Sequence, residues 1–125
     1  MKLKQIPAQT LDEFLNQIKD LNSTNSDLVH IMKAISKSAI HIKKIIETAS
    51  INNMTGSTGK INIHKEEIQL LDDAANTIFV ENLMKTQLIS HIVSEELNQP
   101  LHKPVKTPSY FVSIDPIDGS SNITS

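Results

Sequence analysis

The chain contains no cysteine, no tryptophan and no arginine, and only 3% of its 125 residues are aromatic. The lack of cysteine removes disulfide frameworks, thiolate zinc sites and thiol nucleophiles together, so any chemistry falls to carboxylates, hydroxyls and imidazoles. Without arginine there is no planar guanidinium to grip a phosphate through two parallel hydrogen bonds. A phosphate site must be assembled from lysine, backbone N–H groups or metal ions. Long apolar runs are missing too: the longest are triplets such as Ile78-Phe79-Val80, whereas a membrane span needs about 20 apolar residues. The N-terminal MKLKQIPAQT has no apolar core of a secretory signal. These absences exclude a membrane protein, and the expected location is the cytoplasm. Twelve lysines against 14 Asp and Glu leave a formal charge of -2, which argues against a nucleic-acid platform.

What is present reads as one soluble domain with 38% hydrophobic residues. Thr10 and Glu13 have the spacing of a capping box, and Leu11, Phe14, Leu15, Ile18 and Leu21 follow at helical intervals. This first helix ends near the polar stretch Asn22 to Ser26. Beyond it Leu28, Met32, Ile35, Ala39, Ile42, Ile46 and Ala49 recur at spacings of four and three, the stripe of a second helix with one face on a partner. Ser50 to Gly59 (SINNMTGSTG) loses this periodicity and reads as an exposed, mobile loop. A third helix over roughly Lys65 to Thr86 carries Ile68, Leu71, Ala75, Ile78, Phe79 and Leu83 on one side.

The pattern then changes. Leu88 to Val93 and Tyr110 to Ile114 are rich in β-branched and aromatic residues and read as strands. Asn98 to Pro108, with three prolines, reads as a loop. Three helices followed by two strands predict an α/β or α+β layered domain whose sheet is incomplete.

Acidic residues collect at the far ends of the two strands: Glu95 and Glu96 after the first, Asp115 and Asp118 after the second. Ligands of α/β sheets bind at the carboxyl ends of strands. Neighbouring strands would bring four carboxylates together, and an oxygen-only set of that kind favours Mg²⁺ or Mn²⁺. Taken alone, Glu95-Glu96 is explained more readily by a strand ending in solvent. The segment Asp115-Pro116-Ile117-Asp118-Gly119-Ser120-Ser121-Asn122 is more specific. Pro116 fixes a turn that lets both Asp side chains and the Ile117 carbonyl face one point, Gly119 permits close backbone approach, and Ser120 and Ser121 are N-cap types that open N–H groups to a phosphate. Five specified positions at roughly one in twenty each arise by chance on the order of once in 10⁴ chains of this length.

Ser94-Glu95-Glu96, some twenty residues ahead of Asp115 to Asn122, resembles the paired signature of class I fructose-1,6-bisphosphatases and of their relatives the sedoheptulose-1,7-bisphosphatases. Inositol monophosphatases share only the shorter Asp-Pro-x-Asp-Gly core. Upstream, Leu71-Asp72-x-x-Ala75-Asn76 resembles the family's Leu-Asp-x-x-Ala/Ser-Asn stretch, and the first two helices and following loop fall where the family has its N-terminal helices and mobile catalytic loop.

The resemblance implies the layered sugar-phosphatase fold, with residues 1–125 as its N-terminal part, and Mg²⁺-dependent (or Mn²⁺-dependent) hydrolysis of the 1-phosphate of fructose 1,6-bisphosphate, a gluconeogenic step. It implies that Glu95, Asp115, Asp118 and the Ile117 carbonyl hold divalent metal, that Asp72 and Glu96 are catalytic carboxylates for the attacking water, and that Asp118, Gly119, Ser120 and Ser121 meet the sugar 1-phosphate. The partner implied is a sugar bisphosphate, with no nucleic acid or membrane, and a homo-oligomer, a tetramer in the family, at full length. Two departures stand against it. Thr77 occupies a position where the family usually has Asp or Glu, with Glu81 one helical turn further on. The chain is also less than half the family's length, without the second half that supplies another metal carboxylate and the sugar-holding groups. The rivals are an inactive remnant or interaction module, and a sedoheptulose-1,7-bisphosphatase. The five histidines show no i, i+4 pair for zinc, and Lys33, Lys37 and Lys44 read as a solvated helix face.

The missing half generates a prediction: the purified 125-residue chain releases no phosphate from fructose 1,6-bisphosphate with Mg²⁺ above a metal-free control, as measured by a colorimetric phosphate assay.

Overall fold

The computed structural model describes residues 7–18, 23–52, 65–106, 109–120 and 122. The elements run α1 (Leu11–Ile18), α2 (Ser23–Asn52), α3 (Lys65–Lys85), β1 (Ile89–Ser94), β2 (Leu101–His102) and β3 (Tyr110–Ile114). The capping box forms as the sequence predicts. The Thr10 amide donates to the Glu13 carboxylate at 3.2 Å and the Glu13 amide to Thr10 Oγ1 at 3.1 Å, satisfying donors that the first turn leaves open. Leu21 and the start of the polar stretch lie outside the described residues. Ser23 to Ser26 are already helical, as are Ser50 to Asn52, so α2 is longer at both ends than its apolar stripe suggests. Residues 53–59 of the expected mobile loop lie outside the described residues.

The buried face of α2 differs from the expected stripe. Ile31, Ala34, Ser38 and Ile42 are buried, while Leu28, Met32 and Ala39 are exposed. Small side chains decide this. Ser38 is fully buried, donates to the Ala34 carbonyl at 2.8 Å and accepts from Asn82 of α3 at 2.9 Å, so its polarity is satisfied where α2 meets α3. On α1 only Leu15 is buried, with Leu11 and Phe14 exposed. On α3, Ile68, Leu71, Ala75 and Leu83 are buried as expected, and Asp72 joins them.

The sheet has the order β2-β1-β3, with β1 antiparallel to β2 and parallel to β3. β2 corrects the reading of Asn98 to Pro108 as loop throughout. Its two residues pair with His91 and Ile92 between flanking prolines, and a pairing that short has no periodicity to detect. A register irregularity at Ser90 lets Ile89 and Ile92 both face inward, where strict alternation would put them on opposite faces. The core cluster joins Ile31 and Ala34 of α2, Leu83 of α3, and Ile89 and Ile92, with Tyr110, Val112 and Ile114 of β3 packed against it. This is the layered arrangement of helices on a sheet that the sequence predicts, with a third strand added. Among the described residues, no helix is long and apolar enough to cross a membrane.

Leu83 is 0% exposed at the centre of that cluster. Leu83→Ala should therefore lower unfolding free energy by about 2–5 kcal/mol through lost transfer energy and a residual cavity, measured by urea denaturation followed by circular dichroism.

Candidate active site

The site is set by how β1 and β3 end. Ser94 lies opposite Ile114 in the parallel ladder, and the Glu95 amide continues that ladder by donating to the Ile114 carbonyl at 3.2 Å. The next residues, Glu95 and Asp115, are thereby side by side, with their carboxyl groups close enough to share a proton. Of the four acidic residues at the strand ends, Glu95 and Asp115 meet, while Glu96 and Asp118 act on Glu95 through their charge. The Glu95 carboxyl is held above its ordinary value first by its hydrogen bond with Asp115 and by the Asp115 charge, then by burial, Glu96 and Asp118. Glu96 is raised by burial first, then by Asp72, Asp73 and Asp115. Each effect disfavours the charged form, as crowded carboxylates must.

A turn carries Glu95 and Glu96: the Leu97 amide donates to the Ser94 carbonyl at 3.0 Å, and the Glu96 amide to Ser94 Oγ at 3.3 Å. Ser94 Oγ in turn donates to Asn76 Oδ1 on α3 at 2.6 Å. Asp72 stands one helical turn before Asn76 and is 9% exposed. Its Oδ2 accepts from Ser120 Oγ at 3.2 Å, while its buried Oδ1 has no hydrogen-bond partner. α3, the end of β1 and the Asp115 turn thus meet in one place.

The Asp115 turn follows its sequence chemistry. Gly119 has φ +69°, and a Cβ there would come within 3.1 Å of the Asn122 side chain, so only glycine sits there without strain. The Asn122 amide closes the turn on the Gly119 carbonyl at 2.8 Å. Pro116 and Ile117 are half-buried, and Asp118 is exposed. Ser121 lies outside the described residues, as does His64.

The donor set fits a hard divalent cation in kind: oxygen only, negatively charged, with Glu95 and Glu96 both pushed toward protonation. Glu95 and Asp115 are brought into contact. Among the described residues, however, no group of three or more His, Cys, Asp or Glu side chains is arranged so that it could hold a metal ion. Thr77 and Glu81 are both exposed on α3. Sequence reasoning missed Ser94 and Asn76 as a pair, although both lie in the quoted motifs. It also missed that His91 and His102 meet across the β1–β2 pair with ring centroids 4.4 Å apart. Lys37 and Lys44 are exposed as expected, but Lys33 is half-buried and donates to Asn16 of α1 at 2.6 Å.

A family model described as "Fructose-1-6-bisphosphatase, N-terminal domain" matches residues 9–125. The class 1 fructose-1,6-bisphosphatase of Persephonella marina is 36% identical over 103 residues, covering 81% of this chain and 32% of its own. The chloroplastic fructose-1,6-bisphosphatase of Glycine max is 31% identical over 116 residues, covering 92% and 29%. Among solved structures, the holo form of Leishmania major fructose-1,6-bisphosphatase superposes with TM-score 0.65 and 26% identity over 95% of this chain and 36% of its own. The chain spans about a third of the length of these relatives.

The electrostatics give a sign for pH. Glu95 binds its proton more tightly folded than unfolded, so the folded state is favoured at low pH and loses that advantage as pH rises through Glu95's raised value. The melting temperature of the metal-free chain should fall as pH rises from about 4.5 through the raised Glu95 value, and Asp115→Asn should flatten the decline, in thermal melts followed by circular dichroism.

Proposed function

This chain belongs to the fructose-1,6-bisphosphatase family, matching its N-terminal domain, and from that membership we propose that it forms the N-terminal portion of a sugar-bisphosphatase that hydrolyses the 1-phosphate of fructose 1,6-bisphosphate. The observation that carries the reading is the junction of Glu95 with Asp115 at the ends of two parallel strands, with Asp72 bonded to Ser120 beside it.

In this reading Glu95, Asp115, Asp118 and the Ile117 carbonyl hold Mg²⁺ or Mn²⁺. When bound, the ion supplies positive charge to the phosphate oxygens and lowers the pKa of water. The chain's own residues do the rest. Glu96, whose proton affinity is raised by burial and by Asp72, is a stronger base than a free glutamate and accepts a proton from the attacking water. Water oxygen bonds to phosphorus, the bond from phosphorus to the sugar oxygen breaks, and that oxygen leaves to be protonated, giving fructose 6-phosphate and inorganic phosphate. Asp72 fixes the Ser120 hydroxyl through Oδ2. Gly119, Ser120 and Ser121 offer their backbone N–H groups to the phosphate. The relatives carry the name of the fructose enzyme; none of these residues is assigned to the sugar, so sedoheptulose bisphosphate belongs to the same substrate class.

An inactive remnant is the second reading, and Thr77, which places no carboxylate at its position on α3, favours it. Asp115→Asn separates the two when these residues are fused to the C-terminal two thirds of a class 1 relative. For an enzyme, kcat falls by roughly two to four orders of magnitude and the Mg²⁺ needed for half-activity rises, read in a coupled phosphate-release assay with Mg²⁺ titration. A parent fusion without activity supports the remnant.

A further inference from the structure

We propose that Asn76 is a positioning residue: through Ser94 it holds the Glu95-Glu96 corner against α3, and so sets the distance between the carboxylates of the corner and Asp72. This inference rests on the function proposed above and adds a role to a residue assigned neither to the phosphate nor to the metal.

The geometry is a relay of two hydrogen bonds. Asn76 Oδ1 accepts from Ser94 Oγ at 2.6 Å, and the same hydroxyl oxygen accepts from the Glu96 amide at 3.3 Å. Ser94 is 4% exposed, so water does not compete for its hydroxyl. The Glu95 amide is tied elsewhere, to the Ile114 carbonyl. The corner is therefore pinned twice: by β3 at Glu95 and by α3 at Glu96. Only the second pin spans the elements that carry the two groups assigned to the attacking water. Asp72 precedes Asn76 by one helical turn, so the helix that supplies Asp72 also supplies the acceptor that fixes Glu96. Two negatively charged carboxylates held near one another repel, and such a pair drifts apart unless the backbone beneath it is held. Without the relay, the two backbone bonds that remain, from Glu95 to Ile114 and from Leu97 to Ser94, leave the Glu96 amide itself unheld.

Outer partners that orient functional groups typically cost 10- to 100-fold in activity when removed. The test uses Asn76→Ala, Ser94→Ala and the double variant. In the fusion described above, each single variant should lower kcat about 10- to 100-fold while KM for fructose 1,6-bisphosphate stays within about twofold, because neither residue meets substrate. The double variant should be no worse than either single one, since the pair acts as a unit. In the 125-residue chain, either substitution should speed hydrogen exchange at the Glu96 amide while leaving Ile92 in the core protected. Unchanged kcat with unchanged Glu96 exchange overturns the proposal. So do additive losses in the double variant, or faster exchange throughout the core, which would mark a packing role alone. Ser94→Ala removes only a hydroxyl and keeps the test open if Asn76→Ala does not fold. A parent fusion without bisphosphatase activity counts against the proposed function, and the exchange measurement then decides the relay by itself.

Discussion

The parallel pairing of β1 with β3 is the constraint from which the acidic site follows. With Ser94 opposite Ile114, the residues after each strand leave the sheet at the same level and on the same side. A shift of one position would turn Glu95 away from Asp115. The register is held from below by Ile89, Ile92, Val112 and Ile114 packing on α2 and α3, so apolar burial along the strands sustains charge repulsion at their ends. The raised proton affinities of Glu95 and Glu96 are the local sign of that imposed arrangement. It is an expected pattern at functional sites, where fold energy holds groups that would separate if free.

α3 is the second organiser. Its C-terminal half packs Leu83 into the core and takes Ser38 of α2 through Asn82, while its N-terminal half carries Asp72 and Asn76 to the strand ends. Helix and sheet therefore meet over two regions of different character: an apolar one that gives stability and a polar one that gives position. Asp72 shows the difference. A buried carboxylate oxygen without a hydrogen-bond partner is costly in a merely structural setting, and its presence one turn from Asn76 marks that end of α3 as shaped by something other than stability.

Much of this was legible in the sequence, for reasons that differ by element. Thr10 and Glu13 announce α1 because a capping box is local chemistry that needs no tertiary context. β3 was found in full because Tyr110 to Ile114 is bounded by Ser109 and by Asp115-Pro116, both turn-formers. The acidic residues were found because strand order and spacing suffice once the strands are neighbours. The buried face of α2 was missed because two buried serines, Ser36 and Ser38, break the apolar stripe while exposed Leu28 and Met32 extend a false one. β2 was missed because two residues carry no period. The link from Asn76 to Ser94 joins positions 18 apart in the chain, and a hydrogen bond of that span leaves no mark in local composition.

The order β2-β1-β3 has one more consequence. Among the described residues β1 is flanked on both sides and β3 forms an edge, and its five residues Tyr-Phe-Val-Ser-Ile include neither a charge nor a proline. Phe111, 64% exposed on this strand, stacks on His91. Edge strands usually discourage further pairing with a lysine, a bulge or a covering loop, and none of these lies within β3. Its outer row of N–H and C=O groups is a template for another strand. That template would serve growth of the sheet in a longer chain and, in these residues alone, would favour association between copies as concentration rises.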